Sequence, residues 1–115
     1  MLAALLVSAP LGACGSSSPA TSDVSSAEVK GVCKEVEAVL SDGPEPSADP
    51  IGYAQAQIMP LRVVRTSDRR LHEAIDRLAA AYQAFSAANR ANHAASAAVT
   101  LAAGRLDAIC PGAAP

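Results

Sequence analysis

From residue 26 onward, apolar residues return every three or four positions along most of the chain. Val29, Cys33, Val36 and Leu40 are spaced by four, three and four, with Glu28, Lys30, Lys34, Glu35 and Glu37 around them. That spacing follows the 3.6-residue turn of an α-helix and gathers the apolar side chains into one stripe. Ser25 or Ser26 supplies a hydroxyl to cap its start. The run stops at Ser41-Asp42-Gly43-Pro44, and the following stretch to Pro50 holds Pro44 and Pro46 with Asp42, Glu45 and Asp49. Proline and glycine at that density predict a loop. Its acids lack the alternate positions and bidentate glutamate of a calcium loop, so a solvated loop is expected.

Asp49-Pro50 reads as a helix start, with aspartate as cap and proline at the first helical position. Ile51, Ala54, Ile58, Leu61 and Val64 form its stripe, and Pro60 within it predicts a kink or a restart. Thr66-Ser67-Asp68 offers side-chain oxygens for a fresh N-terminus. The strongest stripe follows: Leu71, Ile75, Leu78, Tyr82 and Phe85. A last stripe of Val99, Ala103, Leu106 and Cys110 runs into Pro111-Gly112, a stop signal.

The 3-4 spacing from Leu71 also continues in phase through Asn89, Asn92 and Ser96 to Cys110, which would make one helix of about 60 Å. A hairpin is the better reading. Residues 89–93 read Asn-Arg-Ala-Asn-His, placing polar side chains on the seam and an asparagine for each cap. The expected fold is therefore all-α: a small up-down bundle of about four helices over residues 26–112, with a short tail at 113–115.

Composition narrows the function classes. The chain has 115 residues, enough for one modest domain, and half are apolar, many of them alanine. Its aromatics are Tyr53, Tyr82 and Phe85 alone, so the core gains less per residue than one rich in leucine and phenylalanine. A formal charge of −2 gives no overall basic footprint, and no nucleic-acid partner is expected. No apolar run approaches the ~20 residues needed to span a bilayer.

The first residues suggest another route to a membrane. Residues 1–7, MLAALLV, form an apolar segment of signal-peptide type, and Leu11-Gly12-Ala13-Cys14 follows it. These four residues resemble the lipobox of bacterial lipoproteins, and the Ala-, Gly- and Pro-rich usage is similar to that of small actinobacterial lipoproteins. The resemblance covers about the first 14 residues. It implies that the Cys14 thiol receives a diacylglyceryl group and that the chain is cut before it. An ordinary secretory cut after Ala9 would leave Pro10 just past the scissile bond, where its fixed φ suits a protease-bound strand poorly. No Lys or Arg occurs before Lys30, so Met1 is expected to be internal, with a basic start upstream. Residues 15–25, small and polar, read as a flexible tether of about 18 Å root-mean-square reach. The implied location is the cell membrane, lipid-anchored, on its extracytoplasmic face.

With Cys14 lipidated, Cys33 and Cys110 remain as an even pair in an oxidising setting, and a disulfide between them is expected. It also favours the hairpin, because four alternating helices bring the end of the last beside the first. A single long helix would carry Cys110 away.

Candidate chemistry is sparse. His72-Glu73-Ala74-Ile75-Asp76 is similar to the HExxH zinc helix, but Asp76 stands where the second imidazole belongs. A metal or small-ligand carrier would need His72 and Asp76 with His93 from the next helix. No phosphate loop and no nucleophile elbow occur, so neither an enzyme nor a cofactor is expected. Arg62, Arg65, Arg69 and Arg70 are the one local charge excess, and three of them would share a face if one helix ran through. They are the candidate contact for an anionic envelope polymer, lipid or partner protein. The function expected is a membrane-anchored interaction module of the cell envelope.

Overall fold

The computed structural model describes residues 26–88 and 92–115; Cys14, the tether and residues 89–91 lie outside them. Four helices follow in order: α1 (Ser26–Leu40), α2 (Pro50–Val63), α3 (Arg69–Ala87) and α4 (His93–Ile109). No strand occurs among the described residues. The expected all-α bundle with a hairpin between its last two helices is what the chain forms.

Each boundary has a local cause. Asp49 accepts a hydrogen bond from the Gly52 N–H at 2.9 Å, with Pro50 in the first turn. Capping takes up amides that a helix cannot satisfy internally, each worth about 1 kcal/mol. Asp68 caps α3 through the Leu71 N–H at 2.9 Å. Asn92 caps α4 through the Ala94 and Ala95 N–H groups at 2.9 and 3.2 Å. The last cap ends the long-helix alternative, because it commits Asn92 to an extended backbone, with φ −110° and ψ 104°.

Pro60 neither stops nor restarts α2, which runs on to Val63. The proline lies in the last turn and on the exposed side, so the one hydrogen bond it omits leaves a carbonyl within reach of water. Val64 is extended instead, and residues 64–68 cross to α3 without helix.

α3 is the central element, packed against α2 and α4, while α1 packs on α2. Val36, Leu61, Leu71, Leu78 and Leu106 are fully buried, so every helix contributes to one core. Burying side chains of this size stabilises by about 1.5–3 kcal/mol each. The α3 stripe is buried as expected through Tyr82, with Phe85 half-buried. In α2 the core takes Tyr53, Ala54, Gln57 and Leu61, whereas Ile51 and Ile58 are half-buried. Position between α1 and α3 turns α2 toward Tyr53. In α4 the core takes Ala95, Ala102 and Leu106, whereas Val99 and Ala103 stay half-buried. An alanine-rich helix is apolar all round, so its sequence weakly selects which face turns inward.

The Cys33–Cys110 disulfide is present, with Cα atoms 5.3 Å apart, and ties α1 to the end of α4. Residues 113–115, read from sequence as a tail, continue the fold. Pro111-Gly112 makes a turn closed by the Ala113 N–H on the Cys110 carbonyl at 3.0 Å, with Gly112 at φ +80°. Proline then a left-handed glycine is the type II pattern. Ala113 behind it is buried.

Candidate functional site

The arginines do not form the single patch that their spacing suggests. Arg62 is on α2, Arg65 in the connection, and Arg69 and Arg70 in the first turn of α3, all exposed. The break at Val64 ends the 100° phase that would have aligned them. Arg62 donates from Nη2 to Gln83 Oε1 at 2.6 Å. Gln83 is 13 residues beyond Arg70, about 20 Å along α3, so Arg62 is drawn away from the others. Arg70 instead lines one shallow depression with Arg77 and Arg105. Arg77 stands two turns along α3 from Arg70, whereas Arg105 joins them through the antiparallel packing of α3 and α4, which sequence spacing within one segment does not reveal. Glu73 shares the depression and lowers its net charge.

The carrier set is also separated. His72 Nε2 lies 3.1 Å from Asp76 Oδ2, one turn apart, with both side chains more than half exposed. His93 opens α4, whereas His72 lies in the first turn of α3. In an up-down pair those two N-termini are at opposite ends, about 20 Å apart along the α3 axis. Among the described residues no three of His, Cys, Asp and Glu are grouped to hold a metal ion.

A site not apparent in the sequence lies between α3, α4 and the loop before α2. It is an open cleft of about 370 Å³, lined by Tyr82 and Phe85 from α3, Val99 and Ala103 from α4, and Pro46 and Pro50 opposite. Its volume falls in the ~300–1,000 Å³ range usual for small-molecule sites. Tyr53 completes the lining, so all three aromatic residues of the chain meet at one place. The Tyr53 and Tyr82 rings meet edge to face, with centroids 5.8 Å apart and planes at 83°. The Tyr53 hydroxyl donates to the Leu40 carbonyl at 2.7 Å, which pins the ring against the end of α1. Burial pushes both phenols above the usual tyrosine range, and for Tyr82 the neighbouring Tyr53 adds to it.

Among the described residues that line the cleft, Asp107 has the one carboxylate side chain and none has a cationic one. Its Oδ1 accepts from the Gly112 N–H at 3.0 Å and the Ala114 N–H at 3.4 Å. Those bonds fold residues 112–115 back as a strap, and Ala114 and Pro115 form part of the wall. From the loop before α2 the far wall takes Pro46, with Pro50 at the start of the helix. The half-exposure of Val99, Ala103 and Phe85, all assigned to core stripes by their spacing, has its cause here. They face a cleft rather than a fifth element.

Compared with protein-family models, with curated proteins and with solved structures, the chain matches none.

Proposed function

We propose that this chain is a lipid-anchored module of the cell envelope, held on the extracytoplasmic face of the membrane by Cys14 and acting by binding rather than catalysis. The Cys33–Cys110 disulfide carries the reading. Structural disulfides belong to oxidising compartments, which supports export. The pair also leaves Cys14 as the odd thiol, within the lipobox-like Leu11-Gly12-Ala13-Cys14. A diacylglyceryl group brings two acyl chains, the number that makes anchoring stable. No helix among the described residues is long and apolar enough to cross a membrane.

The exposed faces supply binding surface. Arg65, Arg69, Arg70, Arg77 and Arg105 are exposed and have no ion pair among the described residues. Met59 and Val63 stand one turn apart on α2, 67% and 64% exposed, on either side of Arg62. An envelope protein or an anionic polymer is the partner this surface suits, since arginine favours bidentate contacts with carboxylate and phosphate.

Two experiments test this reading. Cys14→Ser should move the protein from the membrane fraction to the medium, and wild type should carry the lipid mass that the variant lacks. Wild type that is soluble and unlipidated when expressed from its own start would overturn the anchor. Changing Arg62, Arg65, Arg69 and Arg70 together to glutamine should keep the helical spectrum and weaken capture of anionic envelope material. Wild-type capture should also fall as salt rises. Capture that is indifferent to both would remove the arginines from the account.

A further inference from the structure

We propose that the cleft between α3, α4 and the loop before α2 is a binding site for a small organic cation, an amine or quaternary ammonium on an apolar body. The inference is independent of how the chain is anchored. Tyr53, Tyr82 and Phe85 all line this cleft although the chain has no other aromatic residue. Aromatic faces attract cations through the ring quadrupole, and Phe85, half-buried where Tyr53 and Tyr82 are each 4% exposed, is the ring an occupant reaches. Pro46, Pro50, Val99 and Ala103 give the remaining wall an apolar character.

Charge decides between a cationic occupant and a neutral or anionic one. Among the described residues, Asp107 brings the only full charge on a lining side chain. Its Oδ1 is engaged by the Gly112 and Ala114 N–H groups, while no hydrogen bond from the described residues reaches Oδ2. Two amides hold the carboxylate in place and leave its second oxygen as an acceptor. An ammonium group there gains a charge-assisted hydrogen bond, and a quaternary ammonium gains the charge alone. A carboxylate or phosphate ligand would meet Asp107 with like charge. Ser96 and Thr100 add small polar groups on the α4 side, and the Thr100 hydroxyl donates to the Ser96 carbonyl at 3.2 Å.

The test compares three probes that share one body: 2-phenylethylammonium, 2-phenylethanol and phenylacetate. Each is titrated into the full chain while amide chemical shifts are followed by nuclear magnetic resonance. The ammonium should bind at least fivefold more tightly than the alcohol, phenylacetate should be weakest, and the shifts should centre on Phe85, Val99, Thr100 and Asp107. Asp107→Asn keeps the Oδ1 acceptor for the strap and removes the charge. It should bring the ammonium down to the affinity of the alcohol and leave the alcohol unchanged. Gly104→Leu is the second variant, because a Cβ at Gly104 meets no atom within 4 Å and Gly104 lines the cleft. It should abolish binding of both probes while the fold, checked by circular dichroism, is retained. Equal binding of ammonium and alcohol, a preference that survives Asp107→Asn, shifts mapping to another surface, or no binding of the ammonium at millimolar concentration would each overturn the proposal.

Discussion

Asp107 on α4 accepts a hydrogen bond from the Gly112 N–H at 3.0 Å, five residues further on, beyond the end of the helix. A carboxylate thereby takes up a free amide and turns the chain back over the bundle, placing Ala113 in the core. Gly112 makes the turn at φ +80°, where a Cβ is strained. Gly112→Ala should therefore lose about 1 kcal/mol and lower the melting temperature by several degrees. Asp107→Ala should do at least as much and raise amide exchange at residues 112–114. Unchanged exchange there would show that the strap is held by something else.

The disulfide spans a sequence separation of 77 residues. Closing a loop of that size lowers the entropy of the unfolded chain, which in the chain-entropy model stabilises the fold by about 4 kcal/mol. Reduction, or Cys33→Ser with Cys110→Ser, should lower the melting temperature by more than 10 °C. In the native protein neither thiol should react with a maleimide unless reductant is present. Labelling of both without reductant would contradict the pairing.

Glycines on exposed helix faces offer the opposite effect. Gly31 on α1 and Gly104 on α4 have nothing within 4 Å of an added Cβ. Gly31→Ala and Gly104→Ala should each raise stability by about 0.5–1 kcal/mol, because alanine loses less backbone entropy in a helix. Gly43 is a contrasting case, with φ +99° and an added Cβ at 3.3 Å from Ala56 Cβ and from Gln57 Nε2. Gly43→Ala should be destabilising, and urea titration of the three variants should separate the two classes.

Alkaline pH should unfold the domain. Tyr53 and Tyr82 have their pKa raised by burial, so the folded state holds the phenolic protons more tightly than the unfolded state does. The unfolded chain then binds fewer protons once pH passes the ordinary tyrosine value of about 10, and stability falls with each further rise. Below that value the contribution is fully present. Urea midpoints should be flat in this respect at neutral pH and drop above about pH 10, with the drop reduced in Tyr82→Phe. A midpoint that does not change between pH 9 and 11 would remove the tyrosines from the stability account.

By itself the sequence determined the parts whose energetics are local. The four helices, the Asp49, Asp68 and Asn92 caps and the stop at Pro111-Gly112 depend on interactions within a turn or two of chain. Residue type and spacing therefore reveal them. With Cys14 set aside for its lipobox-like setting, cysteine count and helix parity pointed to the Cys33–Cys110 pair. What only the tertiary structure decided depends on how helices cross and how far a connection reaches. Extended residues from Val64 broke the phase linking Arg62 to Arg69, and packing of α3 on α4 brought Arg105 to the depression that Arg70 and Arg77 line. His93 went to the far end from His72 because adjacent antiparallel helices start at opposite ends. The alanines of α4 left its inward face to be chosen by its neighbours. Val99 and Ala103 thus came to face Phe85 and Tyr82 across open space, since an apolar stripe specifies that a surface is apolar and not what will lie against it.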